Sequence, residues 1–290
     1  MPRVLLGLVS LGLLIVQSAV EPLGLRARVL ALVRASGAEV AVAFRTVDGR
    51  QELLIDPDNP FHAASTMKVP VMIELFRQAE AGTLSLDEPL PIRNEFHSIV
   101  DGSVYQLDVS DDSDSEVYQA AGKTLTLRQL SEAMITVSSN FAANLLIERL
   151  GVENIRRTVA KLGADGMQVL RGVEDDKAFQ KGLNNTTTAR GLLVLLDKLA
   201  KGPVVSATAD DEMIAMLSRQ KFNDAIPAGV PEGTRVAHKT GNITKIHHDA
   251  AIVFGPRPYV IVVLVRGLQE QKDSAALIAA ISREIWSAAE

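Results

Sequence analysis

The chain of 290 residues contains no cysteine. This absence excludes disulfide bonds, a thiolate nucleophile, a metal site built on cysteine ligands and a lipid anchor attached through cysteine. Basic side chains are not in excess either: 30 Lys and Arg against 35 Asp and Glu give a formal net charge of −5. That charge gives no general reason to expect nucleic-acid binding. Apolar residues, by contrast, make up 47% of the chain, which is ample for a sizeable core in one or two domains.

The N-terminus has the pattern of an export signal. Arg3 supplies a basic start, an apolar run extends from Val4 to Val16, and the polar, small segment Gln17-Ser18-Ala19 follows. The run is too short to span a bilayer comfortably but suits the apolar region of a signal peptide. We therefore expect residues 1–20 to be removed near Ser18 or Ala19, and the mature protein to be secreted or periplasmic without stable membrane association. The alternative is an uncleaved N-terminal anchor.

The order of predicted elements indicates the fold class. A helix over 21–35 precedes a hairpin with strands over 38–46 and 51–55, and helices dominate the middle of the chain. Strands over 234–239 and 248–254, joined around Gly241, precede a β-branched central strand over 259–265 and a last helix over 274–286. Strands at both ends with helices between them predict an α+β protein whose termini share one sheet. We expect a sheet unit of residues 21–62 and 205–290, and a helical unit of residues 63–204.

A candidate nucleophile lies in Ala64-Ser65-Thr66-Met67-Lys68, directly before an apolar run. If a helix begins near Ser65, then Ser65 and Lys68 share one face, and the amine can sit over the hydroxyl. A desolvated, neutral lysine can take the proton that makes serine a poor nucleophile. The alternative is a helix-capping serine with an exposed lysine.

Two more segments follow in order: Ser138-Ser139-Asn140 between two predicted helices, and Lys239-Thr240-Gly241 at the end of a predicted strand. The set S-x-x-K, S-x-N and K-T-G resembles the serine β-lactamases and penicillin-binding proteins, and is most similar to class A β-lactamases. Three further segments add to this resemblance: Thr124 to Arg128, Ala142 to Leu146, and Thr186 to Thr188. The resemblance covers essentially the whole mature chain and implies an antiparallel sheet flanked by the terminal helices, with an inserted helical subdomain.

The resemblance also implies roles for individual residues. Ser65 would be the acylated nucleophile, Lys68 its base or proton relay, and Ser138 the group that passes a proton to the leaving nitrogen. The backbone N–H groups of Ser65 and Asn242 would form the oxyanion hole. Ser138 could instead be simply a helix cap.

Substrate binding is implied for the second and third motifs. Asn140 would hydrogen-bond the amide of the substrate side chain, although it too could be a helix cap. Lys239, Thr240 and Gly241 would form the carboxylate-binding strand together with Asn242. No metal or organic cofactor is implied, and the expected partner is a small β-lactam molecule bound by a monomer.

The deacylating base departs from the family pattern R-x-E-x-x-L-N. Arg171 is followed by Val173 at the second position and by Glu174 at the third. We expect Glu174 to be the catalytic base if the loop is re-routed, with Asp175 as the next candidate. The alternative is that Glu174 is a solvated loop carboxylate, paired with Arg171 or Lys177.

Other departures concern support of the site. The middle Asp of the S-D-N motif is Ser139, which predicts altered loop support rather than altered chemistry. Asn185 replaces the Asp that closes the loop on Arg171, so a neutral-acceptor bond and a looser loop are expected. The arginine that often binds the substrate carboxylate has no clear counterpart; Lys245 and Arg266 are the candidates.

Two clusters of polar residues contain side chains that can ligate metals. One is an acidic run between the helices, which we interpret as a solvated loop because it lacks the glycine and terminal glutamate of an EF-hand: Asp111, Asp112, Asp114 and Glu116. The other is His247-His248-Asp249, which lacks a ligand spacing typical of zinc and is interpreted as surface and strand-edge histidines. His238, beside Lys239, could tune the charge of that lysine as pH falls.

These patterns predict an exported serine β-lactamase of class A type. Two alternative functions are also compatible with the sequence. One is a related D-Ala-D-Ala peptidase, esterase or amidase that deacylates poorly, and the other is a penicillin-binding sensor domain that stays acylated. The fate of the acyl-enzyme separates them.

Overall fold

The computed structural model describes residues 19–290, so residues 1–18 of the predicted signal peptide lie outside it. Its strands are β1 (Glu39–Thr46), β2 (Glu52–Ile55), β3 (Phe61–His62), β4 (Pro89–Pro91), β5 (Phe96–His97), β6 (Val104–Tyr105), β7 (Thr124–Thr126), β8 (Thr186–Thr187), β9 (Arg235–Ile243), β10 (Ile246–Phe254) and β11 (Tyr259–Arg266). Its α-helices are α1 (Leu25–Ser36), α2 (Lys68–Glu80), α3 (Glu116–Gln119), α4 (Leu127–Thr136), α5 (Asn140–Leu150), α6 (Val152–Lys161), α7 (Asp176–Gln180), α8 (Ala189–Lys201), α9 (Ala207–Leu217) and α10 (Gln271–Ala289). Among these residues, no helix has both the length and the apolar character that a membrane crossing requires.

One antiparallel sheet of five strands contains both ends of the chain. Its order is β2-β1-β11-β10-β9, and the pairing of β1 with β11 joins the N-terminal hairpin to the C-terminal strands. The strand β11 is central and is buried along almost its whole length, as its β-branched run predicts. The predicted fold class is confirmed.

The two faces of the sheet are covered by different helices. On one face, α1 and α10 pack against each other and against the sheet through side chains such as Leu25, Val29 and Ile278. On the other face, α8 packs on β1 and β11, and its leucines join a core shared with α2, α4 and α5. The strand β9 is left at the edge of the sheet, next to the turn Ala64–Met67.

Helix ends follow the capping residues of the sequence. The hydroxyl of Thr126 accepts the N–H of Gln129, whose side chain bonds back, so α4 begins with a capping box. The helix α8 begins with a threonine cap, because the Thr188 hydroxyl accepts the N–H of Gly191 at 3.0 Å. The helix α1 ends at a glycine: Gly37 adopts a left-handed backbone with φ of 68°.

The predicted end of the strand at Lys239 to Gly241 is wrong. The strand β9 continues to Ile243, and the turn to β10 lies at Thr244 and Lys245, where Lys245 has φ of 59°. Gly241 does not turn the chain, since it pairs with His248 inside the ladder. Its missing Cβ serves close packing instead of a bend.

Candidate active site

Ser65 lies in the 3₁₀ turn Ala64–Met67, which leads directly into α2. The preceding residue, Ala64, has a left-handed backbone with φ of 45°, a conformation that costs a non-glycine residue about 1–3 kcal/mol. A Cβ on Gly241 would lie 3.2 Å from both the Ala63 oxygen and the Ala64 Cβ, so glycine lets β9 run closely against this turn. The two N–H groups assigned to the oxyanion hole, those of Ser65 and Asn242, thus belong to adjoining segments.

Lys68 is completely buried at the start of α2. Its Nζ donates to the Ser138 carbonyl at 2.5 Å and to Asn140 Oδ1 at 2.8 Å, and lies 3.3 Å from Ser138 Oγ. The direct contact with Ser65 that the spacing predicts is not observed: across residues 19–290, Lys68 has no hydrogen bond to the Ser65 hydroxyl. The lysine is buried rather than exposed, which excludes the capping interpretation.

Burial also changes the protonation of Lys68. Desolvation lowers the pKa of the ammonium to about 7, against the opposing attraction of Asp112 and Glu174. A lysine with a pKa near neutrality supplies a substantial fraction of free amine at physiological pH. It is therefore suited to accept a proton.

The Ser138 hydroxyl connects two lysines. Lys239 Nζ donates to Ser138 Oγ at 2.9 Å and to the Thr240 carbonyl at 2.9 Å, and Lys68 approaches the same oxygen. Ser138 has a left-handed backbone with φ of 61°, so this hydroxyl is held in place at the expense of backbone strain. A serine hydroxyl between two amines can relay a proton in either direction.

Lys239 is also completely buried. Burial, followed by repulsion from Lys68, holds the pKa of Lys239 well below its usual range, although Asp249 opposes the shift. By the same electrostatics, a carboxylate arriving beside Lys239 favours its charged form. Binding of an anionic ligand group beside Lys239 is therefore favoured together with protonation of its amine.

Glu174 reaches the same site. Asn140 Nδ2 donates to Glu174 Oε1 at 2.7 Å, and Glu174, Asn140 and Ser65 line one cleft of about 360 Å³. Burial raises the pKa of Glu174 to about 6; Asn140 and Lys68 act against the shift, and Asp112 and Asp111 reinforce it. A carboxylate of this kind is a candidate general base near neutral pH.

The backbone explains how a displaced glutamate enters the cleft. The Asn144 side chain accepts the Val173 N–H at 2.6 Å and donates to the Val173 carbonyl at 3.0 Å, which fixes Val173. A Cβ on Gly172 would lie 2.6 Å from Asn144 Oδ1, so glycine permits this approach. Glu174 then adopts a left-handed backbone with φ of 60°. The left-handed backbone at Glu174 thus goes together with a carboxylate that bonds Asn140 in the cleft.

The cleft extends on both sides of Ser65. The half beside Glu174 also includes exposed Phe179 and exposed Ile243. The other half, of about 270 Å³, is lined by side chains that include Ser138, Thr240 and Phe222. Ser65, Asn140 and Asn242 border both halves. A bound molecule can thus contact the catalytic candidates from two sides.

Comparison with known proteins identifies the family. The model of the Beta-lactamase enzyme family matches residues 24–289. The chain belongs to this family. It is 29% identical over 161 residues to a β-lactamase of Bacillus licheniformis, an alignment that spans 52% of this chain and about half, 50%, of that protein.

Two solved structures extend the likeness to the fold of almost the whole chain. A β-lactamase from Sphaerobacter thermophilus is 26% identical, with a TM-score of 0.78 over 92% of this chain and 97% of that one. The structure of PBP-A is also 26% identical, with a TM-score of 0.81 over 94% of this chain and 98% of that one.

Within this β-lactamase family member, the loop from Arg171 to Asn185, which contains α7, is closed differently from the prediction. Asn185 Oδ1 accepts the backbone N–H of Arg171 at 3.2 Å, and its amide donates to the Arg171 carbonyl at 3.0 Å. The guanidinium instead donates to the Leu183 carbonyl and to Asn184 Oδ1. The expected bond between the Arg171 side chain and Asn185 is therefore wrong, because Asn185 is occupied by the backbone.

The carboxylate next to Glu174 has a structural role. Asp175 caps α7 by accepting the N–H of Ala178, and it also accepts the Ser98 hydroxyl and the Ile99 N–H. It is almost completely buried. With these partners, Asp175 is a poor substitute for Glu174 as a base.

The candidates for a carboxylate-binding arginine do not line the half of the cleft beside Ser138. Arg266 pairs with Glu39, donates to the Pro60 carbonyl and lies over the Phe61 ring. Lys245 is exposed at the turn after β9. Lys239 is the cation bonded to a hydroxyl that lines that half.

The histidines near β10 are not at the surface, so that interpretation is wrong. His247, His248 and Asp249 are buried, and their side chains have separate partners. His248 contacts the His62 carbonyl, whereas Asp249 bonds His238, whose other ring nitrogen contacts Asn223. In residues 19–290, no three His, Asp or Glu side chains group together as metal ligands.

The sequence does not indicate the roles of two supporting residues. Asn144 stands out only as part of a matching segment, because nothing local shows that its amide bonds the backbone of Val173. The acidic run around Asp112 predicts a solvated loop, yet Asp112 accepts the N–H groups of Asn140 and Phe141. One sequence feature could have indicated the role of Asp112. Ser139 stands where the S-D-N motif has an aspartate, so the N-terminus of α5 lacks that carboxylate and another residue can supply one.

We expect Asn144→Ala to loosen the backbone at Val173 and so to impair deacylation, while penicillin still binds. The substitution leaves the N–H of half-buried Val173 unpaired, which costs about 1–3 kcal/mol of stability, and leaves its carbonyl only the longer bond from the Tyr105 hydroxyl. Deacylation should slow more than acylation, because Glu174 follows Val173 directly. Adduct lifetime with a fluorescent penicillin measures this. Asn154→Ala in α6, which removes an amide bond to the carbonyl of Leu150 at the end of α5, is the control; equal lifetimes in the two variants would contradict the expectation.

Proposed function

We propose that this family member is a serine β-lactamase that opens the β-lactam amide through an acyl-enzyme on Ser65. One observation carries the proposal: a continuous hydrogen-bonded chain beside Ser65. It runs from Glu174 through Asn140, Lys68 and Ser138 to Lys239. This series of hydrogen bonds connects Lys68, the base for acylation, and Glu174, the base for deacylation, to Ser138, which relays protons.

In acylation, neutral Lys68 takes the hydroxyl proton of Ser65 as the oxygen attacks the lactam carbonyl carbon. The oxyanion that forms accepts hydrogen bonds from the N–H groups of Ser65 and Asn242. When the C–N bond breaks, Ser138 donates its proton to the ring nitrogen and recovers one from Lys68. Lys239 and Thr240 hold the substrate carboxylate, and Gly241 keeps their strand close to the nucleophile.

In deacylation, the ionised Glu174 takes a proton from water as the hydroxide attacks the ester carbonyl. Collapse of the second tetrahedral intermediate breaks the bond to Ser65, whose oxygen takes back the proton that Glu174 removed from the water. No metal or organic cofactor enters either step. Asn140, which bonds Glu174, would also bind the amide of the substrate side chain.

Because Lys68 and Glu174 have different pKa values, the rates of acylation and deacylation should decline over different pH ranges. Acylation needs neutral Lys68, whose pKa is about 7, so its rate should fall as pH drops through 7. Deacylation needs ionised Glu174, whose pKa is about 6, so its rate should hold until pH drops through 6. Each rate falls about tenfold per pH unit below its limb. Single-turnover labelling and release between pH 5 and 9 separate the limbs; a deacylation limb above the acylation limb would contradict the assignment.

A second candidate function is that of a penicillin-binding relative that deacylates slowly, such as a D-Ala-D-Ala peptidase or a sensor domain. The observation that favours it is Val173 at the position two residues after Arg171, with Glu174 held in a strained backbone. Turnover of benzylpenicillin against turnover of an acyl-D-Ala-D-Ala peptide tests the choice. Many turnovers of the penicillin support the β-lactamase, and turnover of the peptide alone supports the relative.

We further propose that the mature protein is exported, acts as a monomer on small β-lactams, and contributes to β-lactam resistance. The basic start at Arg3 and the apolar run from Val4 to Val16 support export. Mass measurement of the secreted product tests both removal of the signal and oligomeric state.

A further inference from the structure

The N-terminus of α5 is capped by a carboxylate from a distant loop. The N–H groups of Asn140 and Phe141 both donate to Asp112 Oδ2 at 2.9 Å. The next N–H, that of Ala142, donates to Ser139 Oγ at 3.2 Å, and Ser139 Oγ lies 3.4 Å from Asp112 Oδ2. Asp112 thus satisfies N–H groups of the first turn and places a negative charge against the positive end of the helix dipole.

The chain needs such a group because position 139 is neutral. The motif that this segment resembles has an aspartate between its serine and its asparagine, whereas Ser139 is fully buried and uncharged. We propose that Asp112 is a positioning residue that holds Ser138 and Asn140 in their working geometry, replacing from the preceding loop the aspartate that position 139 lacks. The catalytic part of this proposal rests on the proposed function.

The same loop holds the other side of Ser138. Ser113 Oγ donates to the Val137 carbonyl at 2.7 Å, so the loop bonds the backbone before and after the serine. Ser138 has a left-handed backbone, and such a conformation persists when its surroundings fix it. Loss of the Asp112 bonds should therefore release the hydroxyl that both lysines approach.

The charge of Asp112 also reaches the catalytic groups. It raises the pKa of both Lys68 and Glu174, and Asp111, Asp114 and Tyr118 are further titratable residues near it. Removal of this charge should therefore move the acylation and deacylation limbs to lower pH together. A carboxylate that stabilised the fold at a distance from Lys68 and Glu174 would not move either limb.

A double-mutant cycle tests the replacement. We expect Asp112→Asn to slow labelling of Ser65 by a fluorescent penicillin about tenfold to a hundredfold, as small misplacements of catalytic groups do. Ser139→Asp alone should lower the melting temperature, because two carboxylates would then compete for one helix end. The double variant should recover labelling to within about threefold of the native protein and recover the melting temperature.

Glu116→Gln, a neutralised carboxylate exposed in the same loop region, is the charge-matched control and should label at the native rate. The proposal is overturned if Asp112→Asn behaves like this control, if Ser139→Asp alone is as stable as the native protein, or if the double variant is no better than Asp112→Asn. Should Asp112→Asn fail to fold, a folded double variant supports the proposal and an unfolded one overturns it. If the native chain is not labelled at all, the proposed function fails, but the melting temperatures of the cycle still decide whether Asp112 and position 139 share one site.

Discussion

Ser65→Ala is expected to abolish covalent labelling by a fluorescent penicillin and to reduce turnover by about 10⁴-fold or more. The substitution removes the oxygen that forms the acyl bond, and no neighbouring group can replace it at the junction of the turn Ala64–Met67 and β9. Lys68 would keep its bonds to Ser138 and Asn140, since none of them involves Ser65. The fold should therefore survive, which a native melting temperature would show.

A matched control is Ser85→Ala, which truncates an exposed serine outside the cleft and should label normally. Labelling that persists in Ser65→Ala would require another nucleophile. A loss of labelling with a strongly lowered melting temperature would instead point to misfolding. Denaturing gel fluorescence and a thermal melt distinguish these results on the same samples.

Glu174→Gln is expected to make the acyl-enzyme accumulate, with deacylation slowed about 10²- to 10⁴-fold. Glutamine keeps an oxygen that can accept the Asn140 N–H but cannot take a proton from water. Acylation should continue, because the loss of one negative charge favours neutral Lys68. The adduct would be seen by stopping the reaction at steady state and measuring the labelled fraction.

The control for this prediction is Asp176→Asn, which neutralises an exposed carboxylate two residues further along the loop. Its turnover should stay near that of the native protein. If turnover is unchanged in Glu174→Gln as well, the base that activates water must lie elsewhere in the cleft. Asp175 would be a poor choice, since its oxygens already accept bonds from Ser98, Ile99 and Ala178.

The fold could be predicted because its signals are local and repeated. The β-branched run of β11 predicts a buried central strand, and residues such as Thr188 and Gly37 mark helix ends with their own side-chain or backbone chemistry. The end of β9 could not be predicted from Gly241. A glycine in a strand can mark either a bend or a close approach, and only the packing against Ala63 and Ala64 decides between them.

The site was predictable to the level of its motifs but not of its contacts. Spacing alone places Lys68 near Ser65, whereas the structure directs the amine to Ser138 and Asn140 through a tertiary contact with α5. Long-range partners leave no trace in a single sequence. The bonds of Asp112 to the first turn of α5 link residues 28 and 29 positions apart, and those of Asn144 to Val173 span 29 positions.

Backbone conformation explains the hardest case. Counting from Arg171 assigns the base position to Val173, and no side-chain pattern shows that the next residue, Glu174, has a φ of 60°. A left-handed residue that is neither glycine nor asparagine is uncommon, so sequence gives no reason to expect one. Counting residues from Arg171 does not locate the Glu174 carboxylate. In the structure it accepts a hydrogen bond from Asn140 in the cleft.

In the proposed mechanism, Ser65 forms an acyl-enzyme that Glu174 helps to hydrolyse. Both steps are tested by intact-mass spectrometry of the mature protein after addition of benzylpenicillin, with product release followed in parallel. We expect a transient adduct of one penicillin per chain, many turnovers and return to the unmodified mass. An adduct that persists at one per chain without product would contradict hydrolysis and identify a penicillin-binding relative. The absence of both adduct and product would contradict the assignment of Ser65 itself.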